Sequence, residues 1–266
     1  MEGSVQAVSG FLKIPGGLFI GDLMGNFANV IAGIRQIFKN QYETRFISRK
    51  KVSFVFKKYI DYPKFNVIPT LLSSAANILP FLFINKLYST EIVGYLDLSK
   101  LVLSIPLIFI ASTISQVLFQ QITEKKHNSL SIKKDVMNIG FLLVMVVIIE
   151  ALVILAWGPQ LFGFVFGTRY SVSGAFSQIL IFSFVLNFIG STFSTIFLTF
   201  EKIRLNSVWQ ITYFAAICSL LFFKGLNIYD FLKIYVLIEV VMHSSYLIMM
   251  FFIINNYEKK LKPIIA

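Results

Sequence analysis

The sequence predicts an all-α fold, a polytopic membrane helix bundle of about seven transmembrane helices. Three observations predict it. Of 266 residues, 56% are hydrophobic and only 14% charged, whereas soluble domains carry about 25% charge. Mostly apolar stretches near 20 residues recur along the whole chain, the length a helix needs to cross about 30 Å of hydrocarbon. Lys and Arg collect in alternate connections between those stretches, the pattern of cytoplasmic loops. The formal net charge of +11 would otherwise point to nucleic acid, but no stretch is long enough to build the soluble basic face such binding requires, so no nucleic-acid partner is expected.

The expected spans, in order, are Pro15 to Arg35, Val67 to Leu87, Ile92 to Phe119, Val136 to Trp157, Ala175 to Thr199, Ser207 to Phe223 and Phe231 to Ile254. The first opens on Pro15, a residue suited to a helix start. The fourth is the most apolar. Between Ile139 and Leu155 it has thirteen Leu, Ile, Val or Phe, together worth about −4 to −8 kcal/mol for insertion, against about 3 for its single charge, Glu150. Residues 36–65 alternate bases with aromatics, as in Lys51-Val52-Ser53-Phe54-Val55-Phe56-Lys57-Lys58-Tyr59. That pattern reads either as an interfacial helix on anionic lipid or as a plain basic loop. The resulting division is 1–35, an outer segment and helix; 36–65, a basic cytoplasmic linker; and 66–266, six further helices.

Orientation follows from the bases near span ends. The first-to-second connection has nine, the third-to-fourth four, the fifth-to-sixth two and the tail three, eighteen of the 24 on one side. That side is expected to be cytoplasmic, with the C-terminus there and the N-terminus outside. The N-terminus has no secretory signal pattern, and an outside start of this kind is expected of a piece of something longer. Cys218, the single cysteine, allows no intrachain disulfide.

Hydrophilic residues recur at steps of three and four, which puts them on one helix face. The first span has Asp22, Asn26, Asn29 and Gly33; the second Asn66, Thr70, Ser73 and Asn77; the third Asp97, Lys100, Ser104, Ala111 and Ser115. The fifth has Ser183, Asn187, Ser191 and Ser194, and the seventh Tyr235, Glu239, His243 and Tyr246. A single polar stripe is explained by close helix packing and interhelical hydrogen bonds. Five stripes with ionisable groups among them favour a hydrated central cavity, because intramembrane charge is expensive and faces a cavity or a partner.

Lys100, Asp97, Asn77 and Asn187 are therefore candidates for a substrate path, with Arg169 and Lys86 near its outer mouth. Asp97 and Lys100, three apart, either pair with each other or leave Lys100 as a cation for an anionic substrate. Glu239 and His243, four apart, suit proton relay or an interhelical hydrogen bond. Glu150 reads as a lipid-shielded group or a proton site. With Asp22, these three complete the ion-coupling candidates. Two His in the chain make no zinc site and no His-Glu-x-x-His motif. No Gly-rich phosphate loop is present, so no metal, other cofactor or catalytic residue is expected.

Several residues carry a family resemblance. Tyr62-Pro63-Lys64-Phe65 before a polar helix, Val93-Gly94-Tyr95, Lys100, Ser104-Ile105-Pro106 and Ile114-Ser115-Gln116-Val117-Leu118-Phe119 are similar to the polysaccharide flippases of bacteria, as are Gly21-Asp22-Leu23-Met24-Gly25 and Phe166-Gly167. These O-antigen and exopolysaccharide translocases share a superfamily with multidrug and lipid II exporters. The resemblance implies two six-helix lobes, of which the first span here is the last helix of the amino-terminal lobe and the other six are the carboxy-terminal lobe. Two departures stand out: Gln120 follows Phe119 where the family often has Pro, and Asp97 stands where a small apolar residue is usual.

What the resemblance implies is a transporter of the bacterial cytoplasmic (inner) membrane and not an enzyme. Its partners would be membrane lipid, an undecaprenyl-pyrophosphate-linked oligosaccharide moved to the outer leaflet, and a missing amino-terminal lobe. Alternatives are a nonfunctional remnant or half-transporter, a related multidrug-type exporter, and a membrane-embedded polysaccharide enzyme. The last is disfavoured because the longest outer connection, expected from Gly158 to Gly174, has one Arg and no acid.

Overall fold

The computed structural model describes residues 17–39 and 48–265, and those residues form helices and turns with no strand among them. The chain divides at Ile60 into two units. The first contains α1, Gly17–Lys39, and α2, Arg49–Tyr59. Ser48 caps α2 by accepting from the Lys51 amide at 3.3 Å, which satisfies one of the donors a helix start leaves open. None of its residues is buried, so the basic-aromatic segment is a helix with every side chain exposed.

The second unit holds α3, Asp61–Leu87; α4, Thr90–His127; α5, Lys133–Phe166; α6, Ser171–Phe193; α7, Thr195–Thr199; α8, Ile203–Cys218; and α9, Ile228–Ile265. Six stretches among the described residues are long and apolar enough to cross a membrane, and the chain is a multi-pass membrane protein of the all-α class. They are α3, α4, α5, α6 with α7, α8 with the 3₁₀ turn Ser219–Phe222, and α9. Helix α1, 23 residues long, overlaps the first of the seven expected spans from Gly17 to Arg35 but is not among these six; Pro15 and Gly16 lie outside the described residues.

Successive spans run antiparallel, and contacts at each end fix the order. At one end Lys125 pairs with Asp135 at 2.5 Å, Lys126 donates to Thr199 O at 2.6 Å, and Glu258 accepts from the amides of Ile132 and Lys133 at 2.8 and 3.0 Å. This is the basic end. At the opposite end Arg169 pairs with Glu91 at 2.8 Å, and Tyr88 Oη donates to Leu226 O at 2.8 Å. Burial raises the Tyr88 phenol above its ordinary range, so it remains a donor in this turn. Gly225, at φ +90°, reverses the chain ahead of Asn227, whose side chain accepts from the Asp230 amide at 2.9 Å and starts α9.

Helix α6 packs against α4, α5 and α9; α3 packs against α4 and α8, and α8 also meets α9. Helices α6, α4, α3, α8 and α9 thus form a ring, with α5 outside it on α6. The side chains of α5 are largely turned outward, with Phe141, Ile149 and Leu152 all more than 60% exposed, as a lipid-facing helix requires. Helices α5 and α6 meet backbone to backbone. A Cβ on Gly158 would stand 2.9 Å from Gly174 O, and one on Gly174 would fall on Gly158 and Pro159. Small residues permit this approach in membranes.

The structure corrects one expected boundary. Helix α5 does not stop near Trp157 but runs through Pro159 to Phe166, so the long outer connection from Gly158 to Gly174 does not exist. Pro within a spanning helix is tolerated because neighbouring groups satisfy the freed backbone. Here Gln178 Nε2 donates to Leu155 O at 2.9 Å, and O of Leu155 is the carbonyl that the Pro159 nitrogen cannot reach. The connection shrinks to Gly167, at φ +102°, and the 3₁₀ turn Thr168–Tyr170.

Candidate functional site

Inside the ring lies a cavity of about 330 Å³, lined by α3, α4, α6 and α9. It gathers Asn77 from α3, Asp97, Lys100 and Ser104 from α4, Ser183 and Asn187 from α6, and Tyr235 and Glu239 from α9. Four polar stripes that the sequence sets on separate helices therefore share one space. Phe81 and Phe184 complete the wall, giving it aromatic faces between the polar groups.

Lys100 points across the ring. Its Nζ donates to Tyr235 Oη at 2.9 Å and stands 4.5 Å from the centre of the Phe81 ring and 5.0 Å from that of Tyr235. An ammonium over a ring face is attracted by the ring quadrupole, more strongly where water is scarce. Lys100 and Asp97 both border the cavity, but no ion pair joins them among the described residues, and the hydrogen bond of Lys100 goes to Tyr235. Asp97 and Asn187 are exposed and line the cavity, and Asn77 Nδ2 donates to its own helix at Ser73 O, 3.1 Å away.

Glu239 sits at the inner wall, 5% exposed. One oxygen, Oε1, accepts from Tyr213 Oη at 2.7 Å; the other, Oε2, is 2.9 Å from His243 Nε2. His243 is 7% exposed and packs against Trp209 and Tyr213, with ring centres 5.8 and 5.9 Å away. Trp209 stacks on Tyr213 at 5.3 Å with planes 3° apart, and its Nε1 donates to Met242 O at 3.0 Å. Tyr246 lies 4.3 Å from Trp209 and donates to Asn206 Oδ1 at 3.1 Å. The stripe Tyr235, Glu239, His243, Tyr246 thus forms a buried column leading from the cavity toward the basic end.

The arrangement can attract charge and hold a proton. Lys100 contributes one positive charge and Asp97 one negative. Glu239 with His243 contributes a further negative charge when the imidazole is neutral and none when it is protonated. Beside the cavity a carboxylate, a phenol and an imidazole thus share two hydrogen bonds, a set of groups able to take up or release a proton.

Other sequence candidates lie elsewhere. Arg169 is at the end opposite the basic one, tied to Glu91 and to Tyr95 Oη at 3.2 Å, and does not line the cavity. The short turn between α5 and α6 keeps it at the rim. Glu150 is on α5, outside the ring, with Oε2 buried and lacking a hydrogen-bond partner among the described residues. It is therefore not part of the Glu239 cluster. Lys86 is exposed at the end of α3. The side chain of Asp22 lies outside the described residues. Ser191 and Ser194 spend their hydroxyls on carbonyls of their own helix, Phe188 O and Ser191 O.

Sequence reasoning missed Tyr213 and Trp209, which hold Glu239 and His243 in place. The signal was present: a Trp and a Tyr four apart, each an apolar ring with one polar atom. Among the described residues no three His, Cys, Asp or Glu come together to hold a metal. No family model, curated protein or solved structure matches this chain.

Proposed function

We propose that the second unit is one lobe of a membrane transporter of the polysaccharide flippase type, passing the polar head of a lipid-linked oligosaccharide from the cytoplasmic to the outer leaflet of a bacterial cytoplasmic membrane. The observation that carries this reading is the convergence of Lys100, Asp97, Asn77, Asn187 and Glu239 on one cavity at bilayer depth. A sugar head cannot cross hydrocarbon without such a surface, since each unmet hydroxyl in apolar surroundings costs several kcal/mol. The amides offer donors and acceptors to hydroxyls, the aromatic walls offer faces to sugar rings, and Lys100 offers a cation to a pyrophosphate.

In this reading the cavity forms half of a path completed by an opposing lobe, and rocking of lobes gives alternating access. The Glu239–His243–Tyr213 cluster couples that motion to H⁺, because protonating His243 changes the cavity's charge by one unit. The test is complementation of a bacterial strain lacking its own flippase, with the chain supplied together with an amino-terminal lobe. Lys100→Met is expected to abolish surface glycan while the protein still reaches the membrane. Wild-type glycan levels with Lys100→Met remove Lys100 from the substrate path.

One observation favours a second reading, a multidrug-type exporter. Two carboxylates, Asp97 and Glu239, border the cavity against one ammonium, and Phe81, Phe184 and Tyr235 supply aromatic faces, a combination that suits an organic cation. Raised resistance to quaternary ammonium compounds on expression, abolished by Asp97→Asn, would favour it over the glycan reading.

A further inference from the structure

At the basic end a second and larger space opens, a groove of about 1240 Å³ between the start of α8, the end of α9 and the turn joining α7 to α8. Its rim is cationic. Lys202, Arg204, Lys259 and Lys260 border it, while its single acid, Glu201, is 3.5 Å from Lys126. The neighbouring acids are also engaged, Asp135 with Lys125 and Glu258 with the start of α5. Lys202, Lys259 and Lys260 are exposed and make no ion pair among the described residues. The rim thus holds more positive charge than its surroundings neutralise.

The floor is apolar. Leu205 on α8 and Phe252 on α9 line the groove and are 40% and 58% exposed. One turn deeper on each helix stand Val208 and Ile248, 61% and 55% exposed. Because α8 leaves the basic end and α9 approaches it, these four form a track from the groove toward the middle of the spanning helices. A soluble anion would use the rim and leave the track bare. An anionic lipid uses both.

We infer that this groove is a binding site for an anionic phospholipid of the phosphatidylglycerol kind, its phosphate among Lys202, Lys259 and Lys260 and one acyl chain along Leu205, Phe252, Val208 and Ile248. Basic pockets between helices recognise headgroups this way. The site is independent of the cavity inside the ring, so its test does not depend on transport.

The experiment is native mass spectrometry of the purified full chain in detergent, with phosphatidylglycerol, phosphatidylcholine or soluble glycerol phosphate added. The expected result is phosphatidylglycerol retained well above phosphatidylcholine, with the preference falling as salt rises. K202Q/K259Q/K260Q is expected to lower phosphatidylglycerol affinity by roughly fivefold per cation, on the order of a hundredfold in all, and to leave phosphatidylcholine retention unchanged. That unchanged retention reports a folded chain. K133Q/K134Q, at the same end but off the groove, is expected to keep the preference. Equal retention of the two lipids overturns the assignment, as does full phosphatidylglycerol affinity in the triple variant. Displacement of phosphatidylglycerol by equimolar glycerol phosphate overturns it as well, since the track would then contribute nothing.

Discussion

Replacing Lys100 by Met keeps the reach of the side chain and removes its charge, which separates a functional cation from a structural tie. An ammonium at bilayer depth costs about 2.5 to 3.5 kcal/mol on insertion scales. Against that stand its contacts with the Phe81 and Tyr235 rings at 4.5 and 5.0 Å, worth about 1 to 2 kcal/mol in a poorly hydrated site. Its hydrogen bond to Tyr235 at 2.9 Å is worth about 1.5 kcal/mol or more for a charged donor. The terms nearly cancel, so Lys100→Met is expected to change stability by less than about 1.5 kcal/mol, with Met filling the same space beside Phe81. Urea or thermal unfolding of the purified protein in detergent, followed by circular dichroism, measures it. Destabilisation of more than about 3 kcal/mol would mean that Lys100 holds α4 to α9, and the cavity would lose its reason for keeping a cation.

Further outcomes follow from the same geometry. His243→Ala leaves one Glu239 oxygen without its neighbour in a buried site and is expected to cost about 2 kcal/mol or more; Glu239→Gln with His243→Ala should recover part of that in a double-mutant cycle, and strict additivity would deny the pair. In a Trp157→Phe background Trp209 is the sole tryptophan. Its emission should then change on His243→Gln, because the imidazole 5.8 Å away is lost; an unchanged spectrum would deny that contact. Gly174→Val places a side chain on the backbone of Gly158 and Pro159 and should cost about 1 to 3 kcal/mol as overpacking or prevent folding, whereas Gly94→Ala, with nothing within 4 Å of the added Cβ, should be tolerated. Thermal unfolding of the two variants side by side checks this.

The spans were legible because about twenty apolar residues in a row have one physical use, and the stripes were legible because steps of three and four hold wherever a helix is straight. The convergence of Lys100, Asn187 and Glu239 followed from those two facts together. Whether Lys100 would turn to Asp97 or elsewhere was not legible, since the choice depends on Tyr235, which sits 135 positions away. Tyr213 escaped notice although Asn206, Gln210 and Tyr213 recur at steps of four and three on its helix, since none of the three is ionisable near neutral pH; its neighbour Glu239 reveals its task. The continuation of α5 through Pro159 was not legible, because the Gln178 side chain that satisfies the carbonyl freed there lies on another helix. The closeness of Gly158 and Gly174 needed the third dimension as well, for single glycines on two helices do not announce that they face each other.

Thiol accessibility tests most directly whether the polar side chains share a wet interior. Ser104 on α4, Asn187 on α6 and Leu152 on α5 stand at similar depths, about 21 to 24 Å along their helices from the end opposite the basic one. Ser104 and Asn187 line the cavity, while Leu152 is outward and 62% exposed. With Cys218→Ser as background, cysteine is placed at each of the three positions in turn. Each variant is treated in membranes with a small charged methanethiosulfonate, which reacts only with a thiolate in contact with water. Rapid labelling at 104 and 187 with none at 152 is the expected result; equally slow labelling at all three would contradict a hydrated cavity inside the ring.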